Sequence, residues 1–456
     1  MLSSAFTEHC QAAFGDRFTV SRPVRDAHGR DESPFPCTPP DAVIFAESVA
    51  DIVRAVGLCS EFGVPIIPYG AGSSIEGHLL AVRGGVSLDV SRLNRILAIH
   101  AEDMTAVVEP GVTRKQLNAA LAGTGLFFPI DPGADASLGG MAATRASGTN
   151  AVRYGSMREN VLGLKVVTAD GQLVKTGTRA RKSAAGYDLT RLFVGSEGTL
   201  GVIAEVTVKL HPIPEVLAAA VVSFATIADA VNCVIGVIQL GVELSRCEFL
   251  CERMIAAINA YSRSGLTEAP TLFIEFQGSA PALEHQIEQV KDLAGEFGGL
   301  DFQWALKPEE RSQLWQARHN ALLAGLQTRP GARAISTDTC VPISRLADSL
   351  VGARQILDES RIPSMLVGHV GDGNFHALML VDPADPHELE RAEAANRRIV
   401  ELALAMDGTC SGEHGIGLHK MDFLRQEAGA EGIALMRTLK QALDPANIMN
   451  PGKIFA

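Results

Sequence analysis

His369 and His376 bracket a glycine-rich run in "LVGHVGDGNFHALML" at 366–380. Gly371, Asp372, Gly373 and Asn374 are turn formers, and the apolar residues on either side read as strands, so the stretch predicts a hairpin. A four-residue loop Gly371–Asn374 sets Val370 opposite Phe375 and His369 opposite His376. Directly opposed residues of an antiparallel pair share one face, with Cβ atoms ~5 Å apart. Two imidazoles so placed can hold one divalent metal at ~2.0–2.1 Å per nitrogen. The plainer outcome is two surface histidines on a hairpin. A second run, "SGEHGIG" at 411–417, sets Glu413 beside His414 among glycines 412, 415 and 417, which permit close approach.

Three stretches before residue 215 are too small-sided to build a core. The first is "IPYGAGSSIEGHLL" at 67–80, directly after an apolar run. Bare backbone there can turn successive N–H groups inward as a nest for phosphate oxygens, with Ser73 and Ser74 as added donors. Ile75 takes the place of the last glycine of G-x-G-x-x-G, and no Gly-Lys-Ser/Thr follows, so neither common nucleotide motif is present. The second stretch spans 131–161 and the third is "GSEGTLGVI" at 195–203. Together they suggest chain wrapped along a ligand the size of a dinucleotide.

Elements must exist to position these groups, and 456 residues are too many for one ordinary core. Hydrophobic residues make up 46% and charged residues 20%, a globular composition. A formal net charge of −12 argues against nucleic acid as a main partner. The eight cysteines include no C-x-x-C pair, which excludes an iron–sulfur cluster of that type; Cys247 and Cys251 are four apart, the spacing of one helix face. All eight are expected to be buried thiols of a reducing compartment. No run suits a membrane span or a signal peptide, so a cytoplasmic protein, peripheral to a membrane at most, is expected.

Residues 1–40, with five prolines, read as irregular. Ser48 is placed to cap a helix over 49–62 that Gly63 ends. "VPIIP", "GGVSLDV", "TAVVEPGV", "LGLKVVTADGQLVKTG" and "TLGVIAEVTVKL" read as strands, the fourth with a D-G turn. After prolines at 212 and 214, strands "AAVVSF", "RCEFLC" and "TLFIEFQG" alternate with helices. One helix is expected across "EERSQLWQARHNALLAGLQT", a long surface helix across "ELERAEAANRRIVELALAMDG", and a last one near 429–443. No repeat or low-complexity segment is present.

With these motifs in hand, the chain resembles the FAD-linked D-2-hydroxy acid dehydrogenases, flavoproteins of the vanillyl-alcohol-oxidase type. "PYGAGSSIEG", "SLGGMAATRASG", "GSEGTLGVI", "CSGEHGIGLHKMDFL" and "LDPANIMNPGKIF" carry the resemblance, in order, over about 38–456. "WQARHNALLA", "STDTCVPISRLADS" and "LVGHVGDGNFH" are similar to the branch of mitochondrial-type D-lactate dehydrogenases. Glycolate oxidase flavin subunits and D-2-hydroxyglutarate dehydrogenases are also similar. The resemblance implies an α+β chain: an N-terminal segment 1–37, a two-subdomain PCMH-type FAD-binding domain over 38–214, and a C-terminal oxidase domain over 215–456. In the last, a cap with an antiparallel sheet and flanking helices runs to about 405, and a tail from about 406 returns to the flavin. It further implies FAD contacts from Pro68, Gly70, Ala71, Gly72, Ser73, Ser74 and Gly77, from Pro132, Ser137, Gly140, Thr144, Ser147 and Gly148, from Glu197, Gly198 and Ile203, and from Asn450. Members with covalent flavin carry a histidine in the first loop. Here the loop reads Tyr69, Gly70, Ala71, Gly72, and His78 lies outside that position, so non-covalent FAD is expected.

By the same resemblance His369, His376 and Glu413 ligate a divalent metal, Zn or Mn, and His414 is the catalytic base. Such a set leaves coordination positions open, as a catalytic site requires. Arg318, in "WQARHN", is expected to bind the substrate carboxylate through its guanidinium fork. The expected reaction is oxidation of a small D-2-hydroxy acid, D-lactate to pyruvate, with hydride transfer to flavin N5. Electrons then pass to a non-NAD acceptor such as cytochrome c, a quinone, an electron-transferring flavoprotein or another subunit; an oligomer is compatible with the sequence. Leu322, Ser336 and Leu378 stand near positions where the hydroxyglutarate enzymes have polar residues, which favours a short monoacid. The rival readings are a glycolate oxidase flavin subunit, a hydroxyglutarate enzyme, and a metal-free flavin alcohol oxidase of the same fold.

Overall fold

A computed structural model of the chain describes residues 2–455. Its first surprise is the N-terminus, which is not irregular. Ser3 caps a helix Ser4–Phe14 by accepting from the N–H of Phe6, and a second helix spans Arg22–His28. Phe6, Cys10 and Phe14 recur every four residues and are all buried, so the helix has one apolar stripe and packs it inward.

The chain divides into two compact units. The first comprises Met1–Gly148, Tyr154–Ile213 and Glu413–Ala456; the second comprises Thr149–Arg153 and Pro214–Gly412. In the first unit, strands Phe18–Thr19, Ala42–Phe45, Val86–Asp89 and Ile66–Tyr69 form a four-stranded sheet in that spatial order. Its last three strands are parallel. Parallel neighbours need a crossover, and the helix Val49–Phe62 supplies it. Ser48 caps that helix through Asp51 N–H, and Gly63 closes it at φ 62°. An antiparallel five-stranded sheet follows: Ile96–His100, Thr105–Val108, Val202–Lys209, Val161–Val167 and Leu173–Lys175. Each sheet has its own apolar core, and Ile448 and Met449 of the tail belong to the first of these.

The second unit is built on one sheet in which every recorded pair is antiparallel. Its order is Leu300–Ala305, Val216–Ser223, Thr271–Gly278, Leu244–Leu250, Ser364–His369, Asn374–Val381 and Arg333–Ser336, with Thr339–Cys340 also paired to Asn374–Val381. The α+β class expected from sequence is therefore observed. The helix expected over 309–328 breaks at Asn320 into Pro308–His319 and Ala321–Gln327. Pro386–Ala405 is the long surface helix expected, exposing His387, Arg391, Ala394, Arg398 and Glu401 and burying Ala392, Ala395, Asn396, Ile399, Val400 and Ala403 along one face. The last helix begins at Met421, earlier than expected, and Gly429 interrupts it at φ 68°, ψ 176°.

All eight cysteines are free thiols, although Cys37 and Cys340 are partly exposed. Cys247 lies in a strand rather than on a helix face. Burial pushes the Cys10 thiol up to about 12. No helix among the described residues is long and apolar enough to cross a membrane.

Candidate functional site

In the second unit the hairpin forms, with a register that differs from the expected one. His369 pairs with Asn374, Gly368 with Phe375 and Val367 with His376, so the loop is residues 370–373. Gly373 takes φ 87° at the last loop position, and Asp372 N–H donates to His369 O at 3.1 Å to close the turn. The loop thus sits one residue earlier on each side, because Gly373 rather than Asn374 supplies the left-handed conformation. Strand period is two, so a pairing displaced by two residues leaves both histidines on one face. They are diagonal neighbours, with ring centroids 5.4 Å apart and planes at 85°.

Both rings are anchored through Nδ1. His376 Nδ1 donates to Thr337 O at 2.9 Å, and His369 Nδ1 donates to Glu248 Oε1 at 2.7 Å. A proton on Nδ1 leaves the lone pair on Nε2, the arrangement found around metal-ligating histidines. Asn374, on the same strand face, donates through Nδ2 to Asp338 Oδ1 and Thr339 O, while its buried Oδ1 has no hydrogen-bond partner among the described residues. An orphaned acceptor beside two lone-pair nitrogens is a donor set that suits a divalent ion.

Sequence reasoning missed two carboxylates here. Phe249 pairs with Gly368 and Leu250 with Val367, so the ladder sets Glu248 opposite His369. Thr339 pairs with Phe375 and Ser336 with Leu378, which sets Asp338 opposite His376. Glu248 is 0% exposed and Asp338 1%. Burial pushes the Glu248 carboxyl up, but His369 and Arg318 outweigh it and hold the group below the usual range. Arg318 donates to Glu248 Oε2 through Nε at 2.8 Å, and its Nη2 lies 2.8 Å from the same oxygen. The signal was present in "RCEFLC": a lone carboxylate in an apolar strand needs a partner once buried. Leu322 is exposed, whereas Leu378 is buried and paired with Ser336.

In the first unit the bare loop follows strand Ile66–Tyr69 as expected. A Cβ on Gly70 would lie 2.4 Å from Ser137 Oγ, and Gly72 and Gly77 take φ 76° and 79°. A Cβ on Gly72 would meet the Tyr69 hydroxyl and one on Gly77 the side chains of Phe35 and Leu418, so these glycines let the loop pack closely on its own neighbours. Ser137 caps the helix Leu138–Thr144 by accepting from Gly140 N–H. The Ser74 hydroxyl donates to Asp31 Oδ2 at 2.8 Å, so its proton is directed within the protein rather than at a phosphate. Thr144 likewise donates to Gly140 O at 3.2 Å. Pro68, Ala71, Ser73, Pro132, Ser147 and Gly148 lie in the same unit. Gly148 could not carry a side chain, since a Cβ would meet Asp131 O at 2.5 Å. Ile203 has its side chain in the apolar core. Glycine-lined backbone at a helix start fits the phosphates of a dinucleotide such as FAD.

The tail is tied to that loop. Glu197, at φ 54°, accepts from Ile416 N–H at 2.7 Å and Gly417 N–H at 2.8 Å. Next to it, Gly198 takes φ 72°. Asn450 Nδ2 donates to Glu197 O and His78 O. His78 is buried; its Nε2 lies 3.2 Å from Glu197 Oε2, off the direction of a hydrogen bond. Glu76 gathers three donors: His414 Nδ1 at 3.3 Å, His419 Nδ1 at 2.9 Å and Lys420 Nζ at 3.2 Å. Glu413 opens the last segment of this unit, one peptide bond beyond Gly412. Within the second unit, Gly412 N–H and Ser411 Oγ both donate to Asp338, at 3.4 and 2.9 Å.

Comparison with known proteins adds two kinds of finding. Residues 213–454 match the family of FAD linked oxidases, C-terminal domain, and residues 40–177 match an FAD binding domain. A zebrafish (Danio rerio) protein named probable D-lactate dehydrogenase, mitochondrial, is 50% identical over 440 residues, covering 96% of this chain and 88% of that one. An Arabidopsis thaliana protein named D-lactate dehydrogenase (cytochrome), mitochondrial, is 46% identical over 442 residues, covering 96% and 78%. A glycolate oxidase subunit of Bacillus subtilis is 36% identical over 450 residues, covering 98% and 95%. Among solved structures, p-cresol methylhydroxylase with substrate bound has a TM-score of 0.81 at 18% identity, covering 99% of this chain and 97% of that one, which shows a shared fold.

Proposed function

The chain belongs to the FAD-linked oxidase family, and from that premise we propose that it is a D-2-hydroxy acid dehydrogenase whose preferred substrate is D-lactate. The carrying observation is the second unit's sheet face: His369 and His376 side by side, each anchored through Nδ1, with Arg318 joined to the first of them through Glu248. That combination suits an anionic substrate chelated next to a cation.

The reading assigns His369, His376 and Glu413 to one divalent ion, Zn or Mn. Glu413 is the third ligand because the segment before it is pinned to Asp338, the neighbour of His376 across the ladder. FAD is held non-covalently by the glycine-lined stretches of the first unit. When bound, the ion acidifies the substrate hydroxyl and FAD accepts the two electrons. Arg318 binds the carboxylate with the edge of its fork turned away from Glu248. His414 takes the hydroxyl proton at Nε2, since Nδ1 is directed at Glu76. Leu378 is buried two residues beyond His376 on the same face, which suits the methyl of lactate better than a second carboxylate.

Three relatives carry the word cytochrome in their names, and a cytochrome is the proposed electron acceptor. A reducing compartment fits the eight free thiols, and several of the relatives are named mitochondrial. The Bacillus relative favours glycolate as a second substrate. Anaerobic stopped-flow mixing with D- and L-2-hydroxy acids is the test. Fast flavin bleaching by D-lactate is expected, with slower bleaching by glycolate and none by L-lactate. A flavin that no 2-hydroxy acid reduces would reject the proposal.

A further inference from the structure

Glu248 is fully buried in the middle of strand Leu244–Leu250, yet no role follows for it from the reaction itself. Its two oxygens serve two different subsites. Oε1 accepts from His369 Nδ1 at 2.7 Å; Oε2 accepts from Arg318 Nε at 2.8 Å, with Nη2 at the same distance. We infer that Glu248 is a positioning residue that fixes the metal-ligating nitrogen of His369 and the carboxylate-binding edge of Arg318 in one rigid arrangement. The inference rests on the metal and carboxylate roles proposed above for those two residues.

The chemistry of the three groups supports this. A buried carboxylate is costly to desolvate and is retained only with close, well-directed partners. Both partners here donate, so the glutamate must be an acceptor at each oxygen. His369 then keeps its proton on Nδ1 and its lone pair on Nε2. The Nε–Nη2 edge of Arg318 is committed to Oε2, which leaves the Nη1 side of the fork as the face toward a substrate carboxylate. Arg318 comes from the helix Pro308–His319 and His369 from a strand end, and the Glu248 side chain links the two. A neutral amide of the same shape cannot do this, because its NH₂ would face a donor on one side. Turned toward His369, it would force the proton onto Nε2 and remove the lone pair. Turned toward Arg318, it would splay the fork.

The test uses the purified flavoprotein, stripped of metal with chelator and titrated with Mn²⁺ or Zn²⁺ against a competing chelator. Wild type, Glu248→Gln, Glu248→Asp and His369→Ala are compared, and KM and kcat for D-lactate are measured at saturating metal. Glu248→Gln is expected to weaken metal binding ~10–100-fold and to raise KM more than it lowers kcat, with FAD content close to wild type and a lowered melting temperature, since a buried ion pair loses its charge. Glu248→Asp keeps the charge at shorter reach and should fall between the two. It also serves as the informative variant should the Gln form not fold. Wild-type metal affinity and KM in Glu248→Gln, while His369→Ala loses metal, would overturn the inference alone. Retention of metal by His369→Ala would overturn the underlying metal assignment, and the inference with it.

Discussion

Glu76 Oε1 accepts from His414 Nδ1 at 3.3 Å, joining the first glycine loop to the tail within one unit. Glu76 is 2% exposed. Burial pushes its carboxyl up, but Lys420 and the hydrogen bonds from His414 and His419 outweigh that and hold it well below the usual carboxylate range. An ionised Glu76 keeps the His414 proton on Nδ1, so the basic nitrogen is Nε2. It also stabilises the imidazolium formed when that nitrogen takes a proton, as the carboxylate of a histidine–carboxylate pair does. Glu76→Gln should therefore slow flavin reduction by D-lactate ~10²-fold while FAD stays bound. Single-turnover bleaching checks the rate and the visible spectrum checks the flavin. An unchanged rate would show that Glu76 serves only to anchor the tail.

Metal content tests the histidine pair directly. His369→Ala and His376→Ala should both purify with less metal than wild type by elemental analysis, and Glu413→Gln should do the same. His414→Ala should keep its metal and its FAD and lose ~10²–10⁴-fold in rate. If His414→Ala empties the site and Glu413→Gln leaves it full, the ligand and the base have been exchanged.

How these residues became legible, or did not, follows from the range of the signals. Ser48, Gly63 and the D-G turn act within a few residues, and each is found where local chemistry put it. The histidine hairpin was legible as a motif, but its register depended on which glycine took positive φ, a choice between Gly373 and a neighbour that spacing does not decide. Glu248 and His369 are 121 residues apart, and Glu76 and His414 are 338 apart. Such pairs are made by strand order and by the return of the tail, which periodicity does not encode. The N-terminal helix carried a local signal of the same kind, the stripe of Phe6, Cys10 and Phe14, which ends well before the first proline at 23.

The flavin should be separable from the chain. The loop that carries a histidine in covalent relatives has Tyr69–Gly72 here, and His78 is buried beside Glu197. Acid precipitation should leave all the yellow colour in the supernatant. Colour retained in the pellet would mean a covalent link.

Glu197 gives the protein an acid limit. Burial pushes its carboxyl up, but His78 and the N–H groups of Ile416 and Gly417 outweigh that, so its folded value is lowered. A depressed folded pKa contributes stability that is fully present above the unfolded value, near 4.5, and is lost as pH falls through the folded value. Glu197→Gln should lower the melting temperature at pH 7, and the gap to wild type should narrow below about pH 4.5. A gap that widens in acid would contradict the sign.

Substrate size is the sharpest test of the site as a whole. Ser336 and Leu378 are cross-strand partners, and Leu378 is 5% exposed, beside Gly325, where a Cβ would meet it at 2.9 Å. The space beyond His376 on that face is therefore filled by packed hydrocarbon. A second carboxylate brought there would give up water without gaining a donor from Leu378, a cost of several kcal/mol in an apolar site. A methyl group meets no such penalty. D-Lactate should exceed D-2-hydroxyglutarate in kcat/KM by at least ~10²-fold, since unpaired buried polar groups discriminate far more strongly than a missing methylene. Replacing Leu378 by Asn or Lys should narrow the ratio by improving the dicarboxylate rather than by harming lactate. Steady-state kinetics of both acids on the three proteins decide it, and a wild-type preference for the dicarboxylate would place its second carboxylate on residues other than Leu378 and Ser336.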